Sequence, residues 1–342
     1  MTIAQEIYPV NNTRILLKQR PFGMIKPEDF EIVEETMPAL AAGKARVRVV
    51  YLSLDPAMRG WVSADENSYV PPVPLGSTMR GLAVGVIEES NAEGLKRGDW
   101  VSGFLGWTKL IDVEPKDVNV VPQVVPMEAY MGILGLAGAT AYYGLMEVGE
   151  PKAGQTLCVT GAAGSVGSLV GQLAKANGLR VIGIAGSEEK CKWLTEELGF
   201  DAALNYKTDD LEAGLRAFAP EGLDLHFENV GGAPLQAALH NMKAHGKLII
   251  CGLISNYNAT EMPSGPELSA IIKKRLTMQG FVMTDHLDRF GEFFQKLGGY
   301  MSKGQLKYRL DIVDGLESAP TAINRLFVGS NTGKLTIRVS EL

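Results

Sequence analysis

The apolar positions along the chain follow two different patterns, and the change falls near residue 126. Residues 44–54 begin with the alternation of a half-buried strand and then become continuously apolar. Residues 81–90 and 97–104 have the character of two further strands, and the prolines of 71–74 predict a loop. The first part of the chain is therefore predicted to be rich in β structure.

After Pro126, short apolar runs alternate with stretches that have helical spacing. The runs that predict strands are 155–161, 180–186, 201–206, 223–232 and 246–252. The helical stretches between them are 165–178, 187–199, 209–220 and 233–246. Such alternation predicts a parallel sheet that is covered by helices on both faces.

The end of the chain adds three elements to this picture. Residues 276–282 extend the predicted sheet, residues 288–304 form an amphipathic helix, and residues 333–339 have strand character again. We expect this last strand to pair with the N-terminal β-rich part. The predicted fold is of the α/β class, with a β-rich domain made of 1–125 plus 305–342 and a doubly wound domain, 126–304, inserted between them.

Composition and charge restrict the possible partners. The chain has 342 residues and a net charge of −6, which disfavours a nucleic-acid partner because such proteins need a basic face. The apolar run 128–147 is slightly short for a membrane span, and the N-terminus lacks the pattern of a signal peptide. The three cysteines are far apart and indicate reduced thiols. We therefore expect a cytoplasmic protein with neither a membrane nor a nucleic-acid partner.

A glycine-rich turn lies between the first predicted strand and helix of the inserted domain. The segment 160–167, TGAAGSVG, matches a dinucleotide-binding fingerprint except that Ala162 takes the place of the first glycine. Gly161 can supply the freedom of the tight turn, Gly164 the close approach of a pyrophosphate, and Gly167 the packing of helix against strand. Glycine turns also join strands to helices for steric reasons alone, but the alternating elements around this one favour a dinucleotide site.

The choice between NAD and NADP depends on the end of the second strand of that domain. The strand ends in Ala185-Gly186-Ser187, without the carboxylate that would bind the ribose hydroxyls of NAD. Lys190 follows one turn into the next helix, where it could pair with a 2′-phosphate. The adjacent Glu188 and Glu189 are also typical of a first helical turn. The spacing favours NADP.

The sequence excludes several other chemistries. Residues 1–125 contain neither cysteine nor histidine, so a catalytic zinc held by such ligands in the β-rich domain is excluded. The histidines lack paired ligand spacing and are interpreted as structural or surface residues; they are His226, His240, His245 and His286. The chain also lacks a nucleophile elbow and a phosphate-loop lysine motif.

With these residues in view, the chain resembles the zinc-independent medium-chain dehydrogenase/reductases, above all the prostaglandin reductase and 2-alkenal reductase branch. The resemblance rests on 51–60, 76–90, 134–167, 183–207, 226–232, 251–258, 306–320 and 331–339. It implies a GroES-like catalytic domain, a Rossmann domain that binds NADP(H), and a homodimer. It also implies that NADPH reduces the carbon–carbon double bond of an α,β-unsaturated ketone or aldehyde. Hydride would go to the β-carbon, and a tyrosine would stabilise the enolate.

The resemblance implies a set of site residues. The catalytic candidates are Tyr257 and, from the other domain, Tyr51. The cofactor-binding candidates are Gly164, Ser165, Val166, Gly167, Ser187, Lys190, Tyr206, Asn229, Cys251, Gly252, Ile254, Ser255, Tyr257, Phe281, Val282, Met283 and Asn331. Each tyrosine could instead be an ordinary strand-end, loop or core aromatic, and Asn229 could be a turn residue.

Three questions stay open from the sequence. A quinone reductase of the same fold and a non-catalytic NADPH-binding sensor would share the cofactor turn. Ala57 departs from the family, which commonly has a large aromatic residue at this place in the Asp-Pro-x-Met-Arg motif. If that aromatic lines the substrate pocket, the pocket of this chain has a different shape. For the neighbouring Met58 and Arg59, a purely structural role is the alternative.

Overall fold

A computed structural model describes residues 10–261 and 263–342, so the expectation about the N-terminal leader falls largely outside the described residues. The strands, in chain order, are β1 (Asn11–Leu17), β2 (Phe30–Thr36), β3 (Ala45–Ser53), β4 (Ala83–Ser90), β5 (Trp100–Gly103), β6 (Leu110–Val113), β7 (Val118–Val121), β8 (Thr156–Thr160), β9 (Arg180–Ala185), β10 (Ala202–Asn205), β11 (Leu223–Glu228), β12 (Met242–Ile250), β13 (Thr277–Gly280), β14 (Leu310–Asp314) and β15 (Lys334–Arg338). The α-helices are α1 (Met58–Trp61), α2 (Leu136–Tyr142), α3 (Ser165–Ala176), α4 (Glu188–Lys192), α5 (Leu211–Phe218), α6 (Gly232–Asn241), α7 (Ser269–Lys274), α8 (Phe290–Ser302), α9 (Ala319–Ala322) and α10 (Asn324–Val328).

The chain divides into two compact units. Unit 1 contains the described residues up to Met127 together with Ile312–Asn324 and Thr336–Leu342. Its main sheet has the order β14-β15-β3-β4-β5-β7, with β6 also paired to β3, while β1 and β2 form a separate antiparallel pair. Strand β3 is buried on both faces, which explains why its sequence is continuously apolar in its second half.

Unit 2 contains Glu128–Asp311 and Arg325–Leu335. Its six-stranded sheet has the order β10-β9-β8-β11-β12-β13, and every neighbouring pair is parallel. This is the doubly wound order, in which the direction of winding reverses between β8 and β11. The predicted Rossmann fold is therefore confirmed. Ligands of such sheets bind beyond the carboxyl ends of the strands at this reversal, where β8 ends at Thr160 and β11 at Glu228.

The division differs in detail from the predicted one, which placed all of 305–342 in the β-rich domain. Residues 305–311 and 325–335 group with unit 2. The reason lies in short backbone contacts with that unit's glycine turn: Gly333 N donates to Ala163 O at 3.0 Å, and Gly164 and Gly333 form a parallel bridge.

One predicted helix is shorter than its sequence pattern. The helical spacing predicted a helix over residues 233–246. In the structure α6 ends at Asn241, and β12 begins at Met242, where a ψ of 145° marks an extended backbone. Met242 pairs with Leu223, and the register between β11 and β12 then shifts before Leu225. His245 has φ 65° within this irregular stretch. Pairing with β11 therefore lengthens β12 at its N-terminal end, and a bulge in β12 accommodates the change of register.

The apolar run 128–147 forms local helical structure in unit 2. It contains part of a 3-10 turn (Met127–Tyr130), helix α2, and most of a π-helical segment (Tyr143–Val148). Among the residues that the structure describes, no helix is both long and apolar enough to cross a membrane.

Candidate functional site

The glycine turn connects β8 to α3 in unit 2. Gly161 has φ 59°, a left-handed conformation that glycine adopts without strain, while Ala162 is fully buried. A Cβ at Gly167 would lie 2.4 Å from the Gly161 carbonyl oxygen, so only glycine lets α3 start this close to the strand. Gly164 is the N-cap and, with φ −84° and ψ 176°, has an extended backbone.

The first turn of α3 contains an unsatisfied donor. The Ser165 hydroxyl is buried and has no hydrogen-bond partner within the described part of the chain. The first backbone N–H groups of α3 also have no partner inside the helix, and the helix dipole places positive charge there. Together the hydroxyl and the N–H groups suit an anion, and the half-buried Val166 lies in the same turn.

A basic cluster lies beside the ends of β9 and β10. Ser187 is the N-cap of α4, and its hydroxyl accepts from Lys190 N at 3.2 Å. The Lys190 ammonium donates to Gly329 O at 2.7 Å. The Tyr206 ring, which is 42% exposed, lies against Gly186, where a Cβ would come within 2.9 Å of it. The cluster therefore combines a cation, a phenol and a hydroxyl at one strand edge.

A second lysine belongs to this cluster, although the sequence analysis did not single it out. The Lys207 ammonium lies 5.8 Å from the centre of the Tyr206 ring. Burial lowers the pKa of Lys190, and the charge of Lys207 lowers it further. The two cations thus repel each other, which favours a shared anion. The adjacency of Lys207 to Tyr206 was visible in the sequence, but its distance from Lys190 was not.

The end of β11 carries a buried polar network. The side chains of Thr160, His226 and Glu228 are fully buried. Thr160 Oγ1 donates to Glu228 Oε1 at 2.6 Å, and His226 Nε2 shares a hydrogen bond with Glu228 Oε2 at 2.8 Å. Asn229 joins the network, since its backbone N donates to Thr160 Oγ1 at 2.8 Å and its Nδ2 donates to Thr160 O at 2.7 Å.

Glu228 was not among the predicted site residues. Its position as an acidic residue at the end of an apolar strand, just before Asn229, was the signal that could have identified it. Burial alone would raise the pKa of the Glu228 carboxyl. Hydrogen bonds from His226, Thr160 and the Gly231 N–H outweigh that effect, so the pKa lies below its ordinary value. The group is therefore a carboxylate inside the protein.

The candidate residues Cys251 to Tyr257 lie on the loop that follows β12, and this loop is attached to the end of β11. Cys251 N and Gly252 N both donate to Glu228 O, at 2.9 and 3.1 Å. Ile254 N donates to Asn229 O at 3.1 Å, and Ser255 N donates to Val230 O at 2.9 Å. Four of the candidate residues thus lie on one hydrogen-bonded frame at the carboxyl edge of the sheet.

Tyr257 and Cys251 lie in the same loop. The Tyr257 hydroxyl accepts from Leu253 N at 3.3 Å, which turns the phenol back over its own loop. Burial, together with the nearby Glu228 charge, raises the pKa of the Cys251 thiol to about 12. The thiol is therefore protonated at neutral pH and is a poor nucleophile.

The remaining candidates of unit 2 have more varied surroundings. The Phe281 ring packs against Tyr143 and Phe227, with centroid distances of 5.6 and 6.3 Å, so it faces the core. Met283 is buried and Val282 is half-buried. Asn331 is buried, and its Nδ2 donates to Gly333 O at 3.1 Å, which places it beside the glycine turn. The Phe281 ring and the buried Met283 side chain therefore pack within unit 2.

Unit 1 contains the second tyrosine candidate, Tyr51, and the Asp-Pro-x-Met-Arg motif in which Ala57 is the unusual residue. Tyr51 is 8% exposed on β3, opposite Val84 and Arg338. Ala57 precedes α1, in which Met58 is fully buried. The Arg59 guanidinium donates to the carbonyl oxygens of Gly23 and Pro21, at 3.1 and 3.3 Å, and therefore fixes the chain before β2.

Two family models match the chain. One is described as the N-terminal domain of oxidoreductase and matches residues 13–121, and the other is described as zinc-binding dehydrogenase and matches residues 165–297. Residues 13–121 contain neither cysteine nor histidine. In 10–261 and 263–342, no group of three or more His, Cys, Asp or Glu side chains could hold a metal ion. The residues present therefore do not fit the zinc named in that description.

Individual relatives agree with the chain over almost its whole length. It is 42% identical to the NADPH-dependent curcumin reductase of Escherichia coli, covering 96% of this chain and 97% of the relative. It is 40% identical to the 2-alkenal reductase (NADP(+)-dependent) of Nicotiana tabacum, covering 97% and 98%. The structure of CurA in complex with NADPH from Vibrio vulnificus superimposes with a TM-score of 0.91 at 38% identity, covering 96% and 100%. The chain belongs to the medium-chain dehydrogenase/reductases, in the branch that contains the curcumin and 2-alkenal reductases.

Proposed function

We propose that this protein is an NADPH-dependent reductase of the carbon–carbon double bond in α,β-unsaturated ketones and aldehydes. The observation that carries the proposal is the agreement, at 40–42% identity over nearly the full chain, with reductases of curcumin and 2-alkenals. The reduced nicotinamide, when bound, supplies the hydride that adds to the β-carbon. We further propose that the protein works in the cytoplasm, in line with its three free cysteines.

The residues of unit 2 fit a bound NADPH. Gly164, Ser165, Val166 and Gly167 would hold the pyrophosphate, and the partnerless Ser165 hydroxyl supports this assignment because it lacks an acceptor. Ser187, Lys190 and Tyr206 would surround the 2′-phosphate. The pair of neighbouring cations, Lys190 and Lys207, supports that part of the proposal.

The nicotinamide half would lie along the frame at the ends of β11 and β12. Asn229 would contact the ribose, and Cys251, Gly252, Ile254 and Ser255 would form the loop beside the ring. Phe281, Val282, Met283 and Asn331 would complete the pocket. The frame of backbone hydrogen bonds between 228–230 and 251–255 supports a rigid site, which hydride transfer requires.

The chain's chemical contribution would be to stabilise developing oxygen charge. As hydride reaches the β-carbon, electron density moves to the carbonyl oxygen and an enolate forms. A tyrosine hydroxyl carries a proton that it can donate, and that of Tyr257 would donate a hydrogen bond to the carbonyl oxygen. Tyr51 of unit 1 is the second candidate for this role. Solvent or a tyrosine would then protonate the α-carbon.

The proposal is tested by turnover of a small enone, an enal and a quinone with NADPH. We expect NADPH oxidation with the enone and the enal, together with loss of the conjugated double bond's own absorbance. Reduction of quinone alone would favour the quinone reductase of the same fold. Tight NADPH binding without oxidation by any acceptor would favour a sensor.

We also propose that the protein is a homodimer that associates through the edge of the unit 2 sheet. Strand β13 is the last strand of that sheet, and all four of its residues are exposed. Helix α7, which precedes it, carries Ile272 with 80% exposure. An exposed strand edge with apolar neighbours is a surface that soluble proteins usually cover.

A further inference from the structure

Glu228 lies at the point where the unit 2 sheet reverses its winding. It ends β11, whereas Thr160 ends the neighbouring strand β8, and a hydrogen bond of 2.6 Å between their side chains joins the two strand ends. The dinucleotide of a doubly wound fold lies across this crevice. The Glu228 carboxylate, which is fully buried, therefore lies at the edge of the sheet where the proposed cofactor would bind.

One oxygen of this carboxylate accepts three hydrogen bonds. Glu228 Oε1 accepts from Thr160 Oγ1, from Gly231 N at 2.9 Å and from Val230 N. The other oxygen, Oε2, is held by His226 Nε2 at 2.8 Å. The carboxylate thus orients the turn that follows β11 and the end of β8 at the same time.

The backbone carbonyl of Glu228 also holds the loop that follows the neighbouring strand, β12. Its carbonyl oxygen accepts from Cys251 N and Gly252 N, which begin the loop that ends at Tyr257. Thr160 Oγ1 in turn accepts a hydrogen bond from Asn229 N, and Asn229 Nδ2 donates a hydrogen bond to Thr160 O. The proposed ribose contact and the proposed nicotinamide loop are therefore both attached to this residue.

A buried charge is costly, and an apolar pair could fill the same space at lower cost. A buried carboxylate with its acceptor sites occupied holds several donors in a single geometry, which apolar packing does not do. We propose that Glu228, acting through Thr160, is a positioning residue that fixes the strand ends and the 251–257 loop for the dinucleotide. This inference rests on the proposed function, because it assigns the network to NADPH.

The direct test compares Thr160→Val with Thr160→Ser by NADPH titration of the purified full-length protein and by thermal melting. Valine keeps the shape of threonine but removes the hydroxyl that joins Glu228 Oε1 to Asn229 N. We expect the NADPH Kd of Thr160→Val to rise about tenfold, and that of Thr160→Ser to stay within about twofold of the wild type. Glu228→Gln provides a second variant, for which we expect a rise of about threefold or more because the amide also changes the contact with His226.

The matched control is Thr336→Val in unit 1. Thr336 is fully buried, and its hydroxyl has no partner in the described chain, so the substitution removes no hydrogen bond. We expect its NADPH Kd to be unchanged. A Thr160→Val protein that melts at a lower temperature but binds NADPH like the wild type would show a purely structural network and would overturn the inference. Failure of the wild type to bind NADPH would instead contradict the proposed function.

Discussion

Lys190 is the residue that we propose selects NADPH over NADH. Burial and the neighbouring Lys207 both lower the pKa of its ammonium, and its hydrogen bond to the Gly329 carbonyl keeps it at the edge of the sheet. A 2′-phosphate would relieve the repulsion between the two lysines. The absence of an acid at the end of β9 indicated this preference from the sequence alone.

Replacing Lys190 by alanine should weaken NADPH binding by at least about tenfold, since a hydrogen bond to a charged group contributes about 1.5–3 kcal/mol. NADH binding should change little because NADH lacks the 2′-phosphate. Both affinities can be measured by titrating the protein's fluorescence. Lys192→Ala is the control, because Lys192 lies on the same helix but is 62% exposed and pairs only loosely with Glu188. Equal losses for both cofactors would remove Lys190 from this role.

Tyr257→Phe should lower kcat by about 100-fold or more, the effect of removing one donor to a developing oxyanion, with little change in NADPH affinity. Steady-state kinetics with an enone, alongside NADPH titration, separate the two quantities. Tyr300→Phe is the matched control, since it also removes a tyrosine hydroxyl of unit 2, one that accepts a hydrogen bond from Asn177 Nδ2 at 3.1 Å. Unchanged turnover in Tyr257→Phe would transfer the donor role to Tyr51 or to water.

Individual site residues could be predicted where they stand at a fixed spacing from a strand end. Residues whose partners come from a neighbouring strand could not be predicted in this way. Lys190 follows a strand end at a fixed distance, so it could be proposed from spacing, whereas the role of Ser187 was implied by the resemblance. Glu228 acquires its partner, Thr160, from a strand 68 residues earlier, and no local pattern indicates that pairing. The direction of the Phe281 ring likewise depends on Gly144, where a Cβ would lie 2.5 Å from it.

Among the elements, the turn from β8 to α3 separates two roles that glycine can have. A Cβ at Gly164 would lie 3.1 Å from the Gly161 carbonyl oxygen, which is a tight contact but not a collision. A Cβ at Gly167 would lie 2.4 Å from the same oxygen, which is a collision with backbone. We therefore propose that Gly164 serves the ligand, whereas Gly167 serves the packing of α3.

Gly164→Ala should weaken NADPH binding by about tenfold or more and lower the melting temperature less than Gly167→Ala, because its extended backbone accepts alanine and its Cβ would meet the Gly161 carbonyl oxygen at 3.1 Å rather than 2.4 Å. Gly167→Ala should lower the melting temperature by several degrees as well. Gly171→Ala is a packing control in the same helix, since its Cβ would lie 1.9 Å from the Phe200 ring. Gly171→Ala should lower the melting temperature clearly while changing the NADPH Kd little. A drop in stability for Gly164→Ala that matched that of Gly167→Ala would contradict this division.

The hydrophobic pattern predicted the core strands of unit 2 closely and the edges of unit 1 poorly. Strands β8, β9 and β11 are buried, so their sequences are apolar runs bounded by turns. Strand β2 carries three glutamates within seven residues and is mostly exposed, so its sequence does not show the apolar face of a strand. The early start of β12 also escaped prediction, because the pairing of Met242 with Leu223 overrides a helical pattern.

At the scale of the whole molecule, the exposed edge of the unit 2 sheet predicts a dimer of about twice 36.8 kDa in sedimentation analysis. Met278→Asp, which places a charge on β13, should shift the protein towards the monomer. The control is Val120→Asp, because Val120 is exposed on β7 at the edge of the unit 1 sheet. A wild-type monomer at micromolar concentration, or dissociation by Val120→Asp alone, would contradict association through β13.

We propose that hydride from NADPH reaches the β-carbon of a conjugated carbonyl compound. Turnover of a simple enone with NADPH that carries deuterium at the transferable nicotinamide position, followed by location of the label in the product by NMR, tests this transfer. We predict a saturated ketone with one deuterium on the β-carbon and a solvent-derived proton on the α-carbon. Deuterium on the carbonyl carbon of an unsaturated alcohol, or an enone recovered without label, would contradict the account.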